Sequence, residues 1–331
     1  MLSASVFAQK DFALGADISW VSQMEQQGKK FYDLTGRERD CYSLLKDYGI
    51  NCIRLRVWVD PKGWGNWCDK NDVLKKALRA KAEGMDVMID FHYSDSWADP
   101  AKQFIPEAWK NHDYEQMKQD VANHTIEVLS LLKENGVKPR WIQVGNETSD
   151  GFLWPMGKAS ENPEQYAGLF KAGYDACKKV FRKSIVIVHL DNGFDQHLYE
   201  WNLGILRQYG AKFDMIGMSL YPYWSMEAGK EPSAEKTITD CINNINHVAR
   251  MFKKPVMIVE TGYEVNEQKP EIMEEGRDQL ARLIRESKLL TGGKCKGVVY
   301  WEPECSPRQY KLGAFTSDGR PTAIMDGFKA K

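Results

Sequence analysis

The sequence has no cysteine pair at CxxC spacing and no cysteine–histidine set at zinc-finger intervals, which leaves a dithiol redox site or a structural zinc without support. No apolar stretch approaches the roughly 18 residues of a membrane-spanning helix. There is no basic block or stripe, and the formal net charge is −1, so nucleic acid and anionic membranes are poor partners. The segment Val21–Gly36, after the first strand-like run, has neither GxGxxG nor GxxxxGKS/T, which argues against nucleotide binding and against a doubly wound nucleotide fold. No Pro/Gly/Ser linker, internal repeat or low-complexity segment marks a second domain. No strand end carries the lysine of a Schiff-base aldolase, and no HxH pair is present. His92, His189 and Asp191 could suggest a metal, but the two histidines come singly on separate strands, so neither a catalytic metal nor a cofactor is expected.

What is present is a chain of 331 residues, 43% hydrophobic and 27% charged, enough for one large core. The 11 tryptophans, 14 tyrosines and 13 phenylalanines are numerous, and several stand at the ends of strand-like runs, where a sugar ring could stack. The seven cysteines are odd in number, so at least one lacks an intramolecular partner. Cys41, Cys52, Cys177 and Cys241 read as small buried hydrophobes. Cys295 and Cys305 flank one strand, and their spacing leaves a bridge open. Residues 1–9 are small and apolar before the polar Lys10-Asp11, and 1–10 read as a secretory-signal remnant or an unordered terminus, with 11–331 as the catalytic domain.

Eight apolar, β-branched runs bounded by turn residues predict strands at Phe12–Trp20, Ile50–Val59, Met85–Ser94, Pro139–Glu147, Ser184–Asn192, Phe213–Trp224, Pro255–Tyr263 and Gly297–Glu304. Amphipathic stretches alternate with them at Glu38–Tyr48, Asn71–Glu83, Tyr114–Asn135, Pro163–Phe181, Asp195–Tyr209, Ala234–Phe252 and Glu271–Leu289, with a short last helix near Thr322–Phe328. That alternation predicts a single (β/α)₈ TIM barrel.

Function in such a barrel sits at the C-terminal ends of the strands. Two glutamates, Glu147 and Glu260, each end an apolar run. A carboxylate at the end of a buried strand must leave the core or carry a function that offsets its burial. Two of them facing each other across a barrel mouth are the layout of a retaining glycosidase. Other strand-end groups are Asp17, Arg54, Arg56, His92, Asn146, Tyr221, Tyr223, Trp301 and Glu302, with Asp95 and Trp97 in the loop after the third strand.

These ends carry Gly15-Ala-Asp-Ile-Ser19, Arg54-Leu-Arg-Val-Trp58 with Asp60-Pro61, and Phe91-His-Tyr-Ser-Asp-Ser-Trp-Ala-Asp-Pro100. They continue with Gln143-Val-Gly-Asn-Glu147, Ser219-Leu-Tyr-Pro222, Val259-Glu-Thr-Gly-Tyr263 and Tyr300-Trp-Glu-Pro303. In these segments the chain resembles glycoside hydrolase family 53, the endo-β-1,4-galactanases, a family of the clan A (β/α)₈ glycosidases. The resemblance runs from Gly15 to Trp301 and beyond.

The resemblance implies that Glu147 is the general acid/base and Glu260 the nucleophile. It further implies that Arg54 and Tyr221 hold Glu260 charged, although Arg56 shares the parity of Arg54 and is the alternative partner. Asn146 would meet the sugar 2-hydroxyl, His92 would lie near the same sugar, and Trp301 would form its apolar floor. Asp95 and Trp97 would be substrate-binding residues further along, with Trp58, Trp64, Tyr223 and Trp224 as weaker aromatic candidates and Asp17 as a network anchor. Gly262 stands where the family pattern suggests alanine. The short Glu264–Glu267 loop has too few oxygens for a structural calcium.

The implied activity is retaining hydrolysis of β-1,4-galactan in pectin or arabinogalactan. The alternatives are another clan A specificity such as mannanase or xylanase, or a non-catalytic galactan-binding protein. The expected partner is a galactan or galacto-oligosaccharide, on a monomer that is secreted, periplasmic or at the cell surface.

Overall fold

The structure, a computed structural model, describes residues 12–329. The expectation for residues 1–10 lies outside them. Eight parallel strands close into a barrel: β1 (Ala13–Asp17), β2 (Cys52–Val57), β3 (Asp86–Phe91), β4 (Trp141–Val144), β5 (Ile185–Leu190), β6 (Met215–Leu220), β7 (Val256–Thr261) and β8 (Cys295–Trp301). Each pairs with its sequence neighbours, and β1 pairs with β8 to complete the ring. The (β/α)₈ expectation therefore holds.

The strand interiors explain why the barrel closes and where its chemistry lies. Ala13, Cys52, Met88, Trp141, Ile187, Met215, Met257, Val259 and Val299 form a separate buried cluster that takes one or two residues from every strand. This is the apolar plug inside the barrel. Side chains alternate with period two, so two residues beyond the plug the same face carries Arg54, Asp90, Gln143 and His189 in place of hydrophobes. All four are fully buried. A second, larger cluster fills the space between the outer strand faces and the helices.

The helices are held by caps that their sequences specify. Asp113 caps Tyr114–Glu134 in a reciprocal box with Gln116, and Asp195 and Ser233 cap Gln196–Gln208 and Ala234–Phe252. Two expectations are corrected. The helix expected at Glu38–Tyr48 spans Cys41–Asp47, because Asp40 accepts from the Tyr42 and Ser43 amides, while Glu38–Arg39 pairs instead with Phe31–Tyr32 as a hairpin. The run Phe213–Trp224 is not one strand: it stops at Leu220, and Pro222 opens a short helix, Pro222–Glu227. Cys295 and Cys305 do not bridge; all seven thiols are free and buried.

Candidate active site

At the barrel mouth the backbone turns sharply. Tyr93, Glu147, Asn192 and Glu302, just beyond β3, β4, β5 and β8, have φ of 49, 46, 44 and 49°. A left-handed conformation on a residue with a Cβ costs about 1–3 kcal/mol and persists only where its surroundings enforce it. Gly145, at φ 80°, prepares the turn before Glu147; a Cβ there would meet Thr148 Cγ2 at 2.4 Å. Glu260 is positioned differently. The β6–β7 register shifts after Met218–Ile258, so that Ser219 pairs with Glu260 and Val259 is the extra residue. Bulges of this kind re-aim side chains beside functional sites.

Arg54 organises the floor. Its Nη1 donates to Asp17 Oδ2 at 2.6 Å, and its Nη2 lies 2.9 Å from Asp90 Oδ2, from Glu260 Oε1 and from Asn146 Oδ1. Burial opposes the guanidinium charge, but Asp90, Glu260 and Asp17 more than offset it and keep Arg54 protonated. Arg56, the alternative, pairs with Glu302, whose other oxygen accepts the Trp20 amide at 3.2 Å. The arginine that reaches Glu260 is Arg54. Asp17 is the network anchor its position suggested.

Glu260 also accepts from the Tyr221 hydroxyl at 2.8 Å. Burial raises its carboxyl to about 7, with Arg54 the strongest opposing influence, Asp90 adding to the rise and the Tyr221 bond opposing it. Glu147 has no such cation. Burial, then the charge of Glu260, then that of Asp191 push it well above the ordinary carboxylate range, and only the Ser219 hydroxyl bond acts the other way. The pair is therefore unequal: burial raises both carboxyls, but Glu260 has a cation that favours its ionised form, and Glu147 holds its proton the more strongly.

Behind Glu147 runs a relay of buried polar groups. Gln143 Nε2 donates to Asp90 Oδ1 at 2.6 Å and to His189 Nδ1 at 2.8 Å, and the Glu147 amide donates to the same Nδ1 at 3.2 Å. The remaining ring nitrogen, Nε2, then carries the proton and donates to Ser219 Oγ at 2.8 Å. Burial, Arg54 and His92 together push His189 well below its usual range, which keeps the ring neutral. His92 Nδ1 accepts the Ala98 amide at 3.2 Å, leaving Nε2 to donate to Asp90 Oδ2 at 3.0 Å.

Glu147 and Glu260 line one cleft of about 450 Å³, together with His92, Trp97, Asn146, Tyr221 and Trp301. Trp301 and Trp97 have ring centroids 5.7 Å apart, and Tyr310 packs on Trp301 at 4.7 Å, so one wall is continuous aromatic surface. Such a wall suits the C–H face of a pyranose. Of the expected substrate-binding residues, the structure does not bring Asp95 to the cleft. Its carboxylate accepts the Asp60 and Glu107 amides at 2.9 and 2.8 Å and ties two loops together, whereas Asp99 lines the cleft. Tyr223 bonds Lys311 and is not in the lining, while Trp224 is.

Three participants were missed by sequence reasoning. Asp90 and Gln143 are polar residues inside otherwise apolar strands, a signal that a buried-polarity reading would have caught. Gln103 donates to the Asn146 and Glu147 carbonyls at 2.8 and 3.3 Å and so supports the turn, but it comes from a loop whose sequence gives no such sign. Among the described residues, no group of three or more His, Cys, Asp or Glu is placed to hold a metal ion.

Comparison with known proteins agrees with this geometry. The Glycosyl hydrolase family 53 model matches residues 13–326. A probable arabinogalactan endo-beta-1,4-galactanase A from Aspergillus tubingensis is 33% identical over 87% of this chain and 84% of its own. An endo-beta-1,4-galactanase from Bacillus subtilis is 32% identical over 90% of this chain and 71% of its own. The solved family 53 catalytic domain from Ignisphaera aggregans superposes with a TM-score of 0.86 at 31% identity, covering 97% of this chain and 96% of that one.

Proposed function

From the premise that this chain belongs to glycosyl hydrolase family 53, we propose that it is a retaining endo-β-1,4-galactanase acting on galactan side chains of pectin or arabinogalactan. The observation that carries the reading is the unequal carboxyl pair in one aromatic-walled cleft: Glu260 bonded by Arg54 and Tyr221, and Glu147 in the field of Glu260, Asp191 and Asp99. The galactan specificity is supported by the relatives in fungi and bacteria.

In the first step the Glu260 carboxylate attacks the anomeric carbon while the Glu147 carboxyl passes its proton to the departing glycosidic oxygen. The C–O bond to the leaving sugar breaks, a covalent glycosyl–Glu260 ester forms, and Glu147 becomes a carboxylate. Once the leaving sugar departs, Glu147 takes a proton from water as the oxygen attacks the same carbon. The ester breaks and the Glu260 carboxylate is restored. Two inversions give net retention. This route needs the two carboxyls about 5–5.5 Å apart.

Arg54 and Tyr221 favour the ionised form of Glu260 and orient it, and Asn146, fixed by Arg54 and by its own bond to the Ala98 carbonyl at 2.8 Å, is the group for the sugar 2-hydroxyl. His92, Trp97 and Trp301 would complete the sugar's surroundings. No helix of the described residues is long and apolar enough to cross a membrane. Polymeric galactan does not cross a bilayer, so an enzyme for it works outside the cytoplasm, whether secreted, periplasmic or at the cell surface.

The test is reducing-sugar release from debranched galactan, with mannan and xylan alongside. Release from galactan alone is the expected result. Release only from mannan or xylan would keep the mechanism and overturn the specificity, and silence on all three would overturn the hydrolase reading.

A further inference from the structure

The end of the barrel opposite the cleft has a charge of its own. Four stretches lead into β4, β5, β6 and β7: residues 133–140, 178–184, 207–214 and 250–255. Together they hold twelve lysines and arginines against two acidic residues, Glu134 and Asp214. Along the chain these form one short basic run, Lys178-Lys179-Val180-Phe181-Arg182-Lys183, and otherwise lie scattered. The four strands are consecutive in the barrel, and they gather the charges into one arc at its N-terminal end. Lys133 Nζ donates to the Val180 carbonyl at 3.4 Å and Lys178 pairs with Asp214 at 2.6 Å, so neighbouring stretches are in contact.

Six of these side chains are exposed and without partners. Lys138, Lys179, Arg182, Lys183, Lys212 and Lys253 make no side-chain hydrogen bond or ion pair among the described residues. Helices favour cations in their last turn, but the helices here end at Glu134, Val180, Gln208 and Phe252, and five of the six follow those ends. Helix stability therefore does not account for them. Like charges held together repel one another, so the arc is left with a field that a bound anion would neutralise. The mouth has the opposite character: the carboxyl groups of Asp99, Glu147, Asp191 and Glu260 line the cleft against the single cation of Lys230. With a net charge of only −1, the protein is polarised along the barrel axis. A polyanion is drawn to the base and kept from the mouth, while a neutral chain meets no such barrier.

We propose that this basic arc is a docking surface for a polyuronate, the galacturonate-bearing backbone that carries the galactan side chains of pectin. This rests on the galactanase reading, which makes that backbone the polyanion attached to the substrate itself. Carboxylates along the polymer pair with the six exposed cations, and Tyr209, 38% exposed in the same arc, offers a ring face to a pyranose. A base docked on one backbone turns the mouth outward, toward the side chains of neighbouring polymers, and raises their effective concentration.

The experiment measures binding of the full chain to polygalacturonate over a range of ionic strength, with methyl-esterified polygalacturonate and phosphatidylserine vesicles alongside. The unaltered enzyme is compared with a triple variant of the arc, Lys179→Gln with Arg182→Gln and Lys183→Gln. A control of equal charge, Lys30→Gln with Lys62→Gln and Lys110→Gln, changes exposed lysines away from the arc. Polygalacturonate is expected to bind the unaltered enzyme and the neutral methyl ester not to, with added salt releasing the complex. The arc variant should bind roughly tenfold more weakly and the control as the unaltered enzyme does. All three should share one kcat/KM on free galacto-oligosaccharides. No binding at low salt, or equal weakening in both variants, would overturn the docking surface and leave the galactanase reading standing. Tighter binding to the vesicles than to polygalacturonate would overturn the polyuronate assignment in favour of a membrane. Inactivity of the unaltered enzyme on free galacto-oligosaccharides would instead overturn the galactanase reading, and the pectin assignment with it.

Discussion

The Nη2 of Arg54 lies 2.9 Å from Oε1 of Glu260, and the side-chain exposures of the two are 0% and 7%. An ion pair this deep is weak evidence for stability, because desolvation offsets most of its attraction. Its value is in positioning: the same nitrogen also reaches Asp90 and Asn146, so one guanidinium fixes the proposed nucleophile, the amide proposed to meet the sugar and the barrel floor together.

Replacing Arg54 tests this. Arg54→Ala would strand Asp17, Asp90 and Glu260 and cost about 3–5 kcal/mol of stability, so Arg54→Lys is the informative variant. It keeps the charge but loses the fork that makes several bonds at once. The weaker hold on Glu260 raises its carboxyl further, so the acid limb of the kcat/KM–pH profile moves to higher pH. Profiles of folded Arg54→Lys and unaltered enzyme check this; an unmoved limb would separate Arg54 from Glu260.

Tyr221→Phe removes one bond to the charged form of Glu260 and little volume. Hydrogen bonds to charged groups contribute about 1.5–3 kcal/mol, so a fall in kcat of roughly tenfold to a hundredfold is expected. The acid limb again moves up, because the bond that favoured the carboxylate is gone. Steady-state kinetics with a melting curve distinguish this from unfolding.

Glu147→Ala and Glu260→Ala should each abolish most hydrolysis of unactivated galactan. They part company on an aryl β-galactoside with a good leaving group, which needs little acid assistance. There Glu147→Ala keeps a measurable burst of released phenol, whereas Glu260→Ala stays inactive. Equal loss on both substrates would contradict the division of roles.

The same environment carries a stability consequence. The folded state lifts the Glu147 carboxyl well above its ordinary 4.5, so the folded protein binds more protons than the unfolded chain once pH exceeds that value. Stability is therefore present below the unfolded pKa and is lost as pH rises through the folded one. Glu147→Gln removes that loss. Its melting temperature should exceed that of the unaltered enzyme at pH 8 and converge with it near pH 4, as thermal melts across that range would show.

Much of this site was legible because barrel strands are read with a period of two and end in chemistry. Glu147 and Glu260 stood out as carboxylates closing apolar runs, and Arg54 and Arg56 shared one parity. Sequence could not choose between those arginines, since the choice depends on which carboxylate faces each: Asp17, Asp90 and Glu260 for one, Glu302 for the other. Asp95 misled because a loop carboxylate looks the same whether it meets a sugar or two backbone amides. The strand run that overran Leu220 did so because Tyr221, Tyr223 and Trp224 suit a strand locally, while Pro222 starts a helix. Gln103 acts through backbone carbonyls distant in sequence, and no local pattern encodes that.

The most direct test is to trap the covalent intermediate. The enzyme is incubated with an activated 2-deoxy-2-fluoro-β-galactoside, which forms the ester but hydrolyses slowly, and the labelled protein is weighed and mapped by peptide mass spectrometry. One fluorosugar per chain, on the peptide containing Glu260 and at that residue, is the expected result. A label on Glu147 or another residue, or turnover with inversion of the anomeric centre and no label, would contradict the assignment of Glu260 as nucleophile.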